Sequence, residues 1–233
     1  MLDSFMARMA RYRGSLVRVK DALGLHARAK EYLHRLSMAG VVRHVGWGWY
    51  WIPARYNDPL EFLAMDKGFK VLTRHTAASV WSYGFVKRGT YSLAVTDRSY
   101  KRALESFAKL MGWVFEVRYY RSLPFGYIRV SKLFVEELEH SIASCVASWE
   151  FLDGLAALYV RRDEVSFEKL RAISRWMRIA KTDVRVWSAI RYACHLFNKE
   201  LGKKMFRVRK AELENAEVRE LLEEAVAKVV ELA

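Results

Sequence analysis

Residues Val19–Ile52 read VKDALGLHARAKEYLHRLSMAGVVRHVGWGWYWI, and this stretch decides how the chain is read. Ala22 and Leu23 give a short helix its apolar edge, and Gly24 can take the left-handed conformation that ends a helix at little cost. From there apolar residues recur at Leu25, Ala29, Tyr32, Leu33 and Leu36, the spacing of one helical face. The opposite face carries His26, Arg28, Lys30, His34 and Arg35 and is cationic. Gly40 closes this second helix, predicted over 25–39. Val41, Val42 and Val45 open a strand, Gly46 and Gly48 sit where a hairpin turn is needed, and Trp49–Ile52 return toward Pro53. A helix, a turn, a basic helix and an aromatic hairpin, in that order, predict a winged helix-turn-helix, an arrangement that sets one helix in the major groove of DNA.

In such a domain the N-terminal end of the second helix points inward. His26, Arg28 and Lys30 are therefore expected at base edges, and Arg11, Arg13, Arg35 and Arg43 at phosphates. Arg43, His44 and Trp47 are candidate wing contacts, with the other face of the aromatic hairpin packed inward. Winged helices also serve as adaptors, so a protein-interaction or RNA-binding module is the alternative. The cationic face favours double-stranded DNA as the partner.

Working outward, residues 3–13 predict an amphipathic first helix capped by Asp3 or Ser4, and Leu16–Val17 a short strand pairing with the wing. The turn-rich ARYNDP at 54–59 marks a boundary. Beyond it, helical patterns cover Leu60–Lys67 and Thr73–Tyr83, and Tyr91–Val95 reads as a strand. Asp97 starts a turn into a helix over Tyr100–Met111 that Gly112 ends. Strands follow at Trp113–Tyr119 and Tyr127–Val130, joined through the turn LPFG. From Leu133 the pattern is helical, with helices over 133–149, 151–160, 166–180, 183–200 (capped at Thr182-Asp183) and 211–232. The fold class is α+β: a winged helix-turn-helix over 1–56, a small α+β middle domain with a mostly antiparallel sheet over 57–132, and a helical C-terminal domain over 133–233.

The 233 residues hold 40 Lys and Arg against 26 Asp and Glu, a net charge of +14 that points to a polyanionic partner. The charge is uneven, with 10 cations against 3 acids in 1–56 and 15 against 7 in 141–210, but 2 against 7 in 211–233. Arg171, Arg175 and Arg178, spaced i, i+4, i+7 with Lys181 beyond, form one helical face. With Lys203, Lys204, Arg207, Arg209 and Lys210 they make either a second phosphate-tracking surface or a solvated face. The acidic last helix carries an apolar stripe of Leu213, Val218, Leu221, Leu222, Ala225, Val226 and Val229, expected to pack on its own domain or across a homodimer. Few prolines and abundant Arg, Glu and Ala give a thermophile-like composition.

Cys145 and Cys194 lie far apart in apolar helical patterns and match neither a disulfide framework nor zinc spacing. No apolar run reaches membrane-spanning length, and MLDSFMARMARYRG alternates charge with apolar residues, so a cytoplasmic protein without membrane contact is expected. No phosphate-binding loop, HExxH or GxSxG occurs, and nothing signals a cofactor or a metal. Asp163, Glu164, Glu168 and Lys169 are spaced as a helix start rather than a metal site. Cys194 and His195, adjacent on a helix, point about 100° apart. His75 with Asp97 is the remaining pair. A nucleic-acid enzyme accordingly ranks third, and no catalytic residue is assigned.

Two segments carry a family resemblance: LHRLSMAGVVRHVGWGWYWIP (33–53) and VLTRHTAASVWSYG (71–84), the latter followed by YSLAVTDR. Together they resemble the AbiEi-like transcriptional regulators, the antitoxin halves of abortive-infection toxin–antitoxin pairs. Tyr83 stands where such proteins often carry His. The resemblance implies a sequence-specific DNA-binding repressor of its own operon, with a nucleotidyltransferase-like toxin as partner. The Gly-Ser and Asp-x-Asp signature of that toxin is absent here.

Overall fold

The computed structural model describes residues 2–86, 88–208 and 211–233. It is α+β, about half helix and 15% strand, with a small antiparallel three-stranded sheet and a mixed five-stranded sheet. The chain forms two compact units, one built from the chain through Val71, Leu93–Pro124 and Arg129–Phe134, the other from Leu72–Ser92, Phe125–Ile128 and Val135–Ala233. These do not coincide with the consecutive segments 1–56, 57–132 and 133–233.

In the first unit, apolar spacing sets the N-terminal order: α1 (Leu2–Met9), a 3-10 turn at Ala10–Tyr12, β1 (Leu16–Arg18), α2 (Val19–Leu23), α3 (Ala29–Met38), β2 (Arg43–Gly46) and β3 (Trp49–Trp51). The strands lie in the order β1-β3-β2, with Leu16 and Arg43 both opposite Trp51, so Leu16–Val17 does pair with the hairpin. Ala29, Tyr32, Leu33 and Leu36 turn inward from α3 onto Phe5, Met9, Val17, Val42 and Tyr50. Full burial of each large apolar side chain contributes about 1.5–3 kcal/mol.

Three local expectations change. Ser4 lies within α1 rather than capping it, and the side chain of Asp3 lies outside what is described. Gly24 is right-handed, at φ −64°, so the chain coils on past it. The N–H groups of Leu25 and His26 both bond to the Ala22 carbonyl, and α3 starts at Ala29 instead of Leu25.

The aromatic hairpin has no free face along β3. Tyr50 enters the α1–α3 core, while Trp49 and Trp51 face α6 (Arg98–Met111). The Trp49 indole donates to Ser99 Oγ at 2.7 Å, and the rings of Trp51 and Phe107 are 5.2 Å apart. Asp97, expected only to start a turn, caps α6 by accepting the Ser99 and Tyr100 N–H groups, and Gly112 ends the helix at φ 71°, as the sequence predicts.

The turn after 54–59 is not a boundary, because α4 (Pro59–Met65) delivers a buried carboxylate to the N-terminal sheet. Asp66 accepts the Leu16 N–H at 2.7 Å, the Gly68 N–H at 3.2 Å and the Lys70 ammonium at 2.9 Å, and the Tyr100 hydroxyl also donates to it. Gly68 is required here, since a Cβ would fall 2.2 Å from the Tyr100 ring.

The five-stranded sheet contains β4 (Val71–Leu72), β5 (Thr90–Val95), β6 (Val114–Tyr119), β7 (Tyr127–Val130) and β8 (Leu133–Glu136), in the order β6-β5-β4-β8-β7. The LPFG turn therefore joins no hairpin: β6 and β7 lie at opposite edges, and β7 pairs with β8. The sheet is mixed. Leu133–Glu136 is strand where helix was expected, and helix begins only after Glu137.

The second unit holds α5 (Arg74–Trp81), α7 (Leu138–Ala147), α8 (Phe151–Val160), α9 (Phe167–Ser174), α10 (Val186–Glu200) and α11 (Ala216–Leu232). The helix expected over 166–180 stops at Ser174, whose hydroxyl bonds back to the Leu170 carbonyl at 2.6 Å. The chain then extends into a bridge between Arg178 and Arg185. Arg185, not Thr182-Asp183, is the N-cap of α10. The acidic α11 lays Val218, Leu222, Ala225, Val226 and Val229 against α8 and α10, so its stripe is filled within the unit. Leu221 stays exposed.

Asp66→Ala strands the Lys70 ammonium, whose side chain is only 5% exposed, without its carboxylate. Breaking such a buried pair costs about 3–5 kcal/mol. The expected result is a correspondingly lower urea midpoint, and a midpoint unchanged from wild type contradicts the central place given to Asp66.

Candidate nucleic-acid interface

The start of α3 at Ala29 re-aims the residues before it. His26 is half-buried in the α2–α3 turn, with its ring 4.9 Å from Tyr32 and 6.4 Å from Phe5. Its Nδ1 accepts the Arg28 N–H at 3.0 Å. It closes the turn instead of standing free on the outer face. Arg28 is the exposed N-cap residue, and Lys30, His34 and Arg35 lie exposed along α3. Arg35 pairs with Glu31 at 2.6 Å. Among the described residues no protein group partners the side chains of Arg28, Lys30 or His34.

In the β2–β3 turn, Gly46, Trp47 and Gly48 all have positive φ, at 114°, 56° and 75°. Trp47 is 68% exposed, and the Arg102 guanidinium lies 4.7 Å from its ring centroid. Arg43 and His44 are exposed on β2, with the His44 ring 4.9 Å from Tyr50. Arg11 and Arg13 are exposed after α1, the former resting against Tyr12 at 5.0 Å. The structure thus brings Arg43, His44 and Trp47 to one hairpin and adds Arg102, which the sequence pattern did not single out. A Lys-Arg pair within an amphipathic helix carries no signal of its own.

The second basic group is dispersed. Arg171 lies on α9 and Arg175 is its C-cap, but Arg178 is beyond the helix, donating to the Asp183 carbonyl. The three therefore do not share a helical face. Lys181, Lys203, Lys204 and Arg207 are exposed outside the helices, and Arg209 and Lys210 lie outside the described residues.

The pairs considered for catalysis take other partners. His75 Nδ1 meets Glu150 Oε1 at 3.0 Å and its Nε2 meets the Thr90 carbonyl at 3.1 Å, while Asp97 caps α6. Asp163 and Glu164 pair with Arg162 at 3.8 Å and Arg161 at 2.6 Å. Lys169 bridges Glu137 and Glu139 at 2.9 and 3.3 Å, and Glu168 is exposed. Burial pushes the Cys194 thiol up to about 12 and raises that of Cys145 as well. Among the described residues no three His, Cys, Asp or Glu side chains gather as a metal site, and no helix is long and apolar enough to cross a membrane.

Sequence reasoning missed a buried polar cluster in the second unit. Arg74, at φ 50°, donates its N–H to Glu136 Oε2 at 2.9 Å, and its guanidinium pairs with Glu150. Ser144 Oγ also donates to Glu136, at 3.2 Å. Residues 62 to 76 positions apart meet here, a separation no local pattern encodes. His75, Glu136 and Glu150 are all buried. No protein-family model matches this chain, and no curated protein proves similar to it.

Burial raises the Glu136 carboxyl to about 7 against its ordinary 4.5. Burial also acts to raise Glu150, but hydrogen bonds from His75 and Arg74 outweigh it and lower Glu150 to about 2. The folded state holds the Glu136 proton more tightly than the unfolded chain, so stability falls as pH rises from about 4.5 to about 7. Glu150 contributes stability that is complete above about 4.5 and lost as pH falls toward 2. Urea unfolding across this range is expected to show Glu136→Gln flattening the decline toward neutral pH. Glu150→Gln is expected to destabilise at neutral pH, by an amount that shrinks toward pH 2. A Glu136→Gln variant with the wild-type pH profile contradicts the assignment.

Proposed function

We propose that this chain is a DNA-binding transcriptional regulator whose N-terminal elements form a winged helix-turn-helix. The observation that carries the proposal is the outward side of α3. Arg28, Lys30 and His34 project there without protein partners among the described residues, while Ala29, Tyr32, Leu33 and Leu36 anchor the helix from behind. The order α1, β1, α2, α3, β2, β3 with sheet order β1-β3-β2 supports the same reading. In this proposal α3 enters the major groove. Arg28, Lys30 and His34 approach base edges, His34 taking the role that the sequence pattern assigns to His26. Arg11, Arg13, Arg35 and Arg43 contact phosphates, and His44 and Trp47 belong to the wing. The likeness of 33–53, 71–84 and 91–98 to AbiEi-like regulators supports the narrower reading of an autorepressor with a nucleotidyltransferase-like toxin as its partner.

The alternative, a protein-interaction module, draws on Met38, which is 78% exposed at the C-terminal end of α3. Fluorescence anisotropy with duplexes selected from random DNA separates the two. Affinity is expected to fall steeply between about 50 and 200 mM salt as condensed counterions are released. Arg43→Ala is expected to weaken all duplexes alike and reduce the salt slope by about 1. Lys30→Ala is expected to cost about 1–3 kcal/mol and to relax sequence preference, with thermal unfolding unchanged. Duplex binding unaffected by Arg28→Ala, Lys30→Ala and His34→Ala together rejects the proposal.

A further inference from the structure

In the second unit, α9 and α10 each present an aromatic residue followed one turn later by an arginine: Phe167 with Arg171, and Trp187 with Arg191. Both pairs line one cavity of about 740 Å³, within the size range of small-molecule sites. The segment Met205–Val208 forms another wall and brings Arg207. That wall is pinned in place, because Asn198 donates to the Phe206 carbonyl and accepts its N–H, both at 2.8 Å. The buried Phe206 ring packs 5.9 Å from Phe167 and 5.7 Å from Phe197.

Arg162 also lines the cavity, but its guanidinium donates to the Tyr159 carbonyl. Arg171, Arg191 and Arg207 have no protein acceptor among the described residues. Glu168 is the one carboxylate among the lining residues. A pocket with an apolar, aromatic interior and three guanidinium groups free of protein acceptors suits a ligand that joins a flat ring to several negative charges.

We propose that this cavity binds a free nucleoside polyphosphate. Its base stacks against Trp187 and Phe167, its phosphates take the forked donors of Arg171, Arg191 and Arg207, and Glu168 accepts from a ribose hydroxyl. The site is independent of the DNA-binding proposal and uses none of its residues.

Isothermal titration of the full chain with ATP, GTP, CTP and UTP tests the proposal, with tripolyphosphate, adenosine and a 5′-phosphorylated dinucleotide as companions. At least one triphosphate is expected to bind at least about tenfold more tightly than tripolyphosphate, with adenosine undetected at about 1 mM. Arg171→Ala and Arg191→Ala are each expected to weaken that binding at least about tenfold with the melting temperature unchanged, and Arg191→Ala to leave duplex-DNA affinity unchanged as well. Loss of nucleotide binding with duplex binding intact keeps this result separate from any failure of the DNA reading. The proposal is overturned by no heat from any triphosphate at about 1 mM, by tripolyphosphate binding equally well, or by arginine variants that bind as wild type. Tighter binding of the dinucleotide than of every triphosphate overturns the choice of a free nucleotide.

Discussion

The first unit depends on one buried carboxylate. Asp66 receives a backbone N–H from β1, an ammonium from Lys70 and a hydroxyl from Tyr100 on α6, so a single side chain ties the N-terminal sheet to the helix packed behind its hairpin. Taking both charges of the Asp66–Lys70 pair out of water is costly, and it is offset only because nearly every lone pair and proton finds a partner. The Lys70 ammonium also donates to the carbonyls of Asp66 and Gly68 at 2.7 and 3.0 Å. Burial and the neighbouring Asp66 carboxylate both raise the Tyr100 phenol well above its ordinary value, keeping its proton in place for the bond. The hub specifies an alignment as much as it stabilises one, since a shift of β1 by one residue would remove the Leu16 N–H from Asp66 and exchange the two buried faces that Leu16 and Val17 occupy.

Above this foundation, charge and apolar surface are separated by helix geometry. On α3 the inward residues are tightly held, which leaves the outward cations free of structural duty. Glu31 is the exception, and its pairing with Arg35 lowers the net charge of that face. In the proposed DNA complex this makes the helix end near Arg28 and Lys30 the stronger anion attractor. The hairpin is held differently, with β3 packed on both sides while its turn and the Arg43–His44 end of β2 reach solvent.

Local signals in the chain were legible. The apolar spacing of α3, the turn at Asp97, the Gly112 stop and the Gly46–Gly48 turn each depend on residues within a few positions of one another. What could not be read depends on partners far along the chain. Asp66 meets Leu16 across 50 positions and Arg74 meets Glu150 across 76, and nothing near either residue announces the pairing. The order of the five-stranded sheet failed for the same reason: LPFG has the composition of a hairpin turn, but strand neighbours are chosen by distant segments. Leu133–Glu136 reads as helix because three apolar residues and a glutamate running almost directly into an amphipathic helix have no punctuation between them and it. The error at His26 was smaller, a four-residue difference in helix start that turned a supposed base reader into the ring that locks a bend.

The two units are interleaved along the polypeptide. The chain passes from one to the other five times, and the strands β4, β5, β7 and β8 each contribute residues to both. Neither unit is a continuous stretch of the polypeptide, so no single proteolytic cut releases either as an intact piece. A fragment ending after the aromatic hairpin would leave behind Asp66 and α6, and with them the partners of Leu16, Trp49 and Trp51.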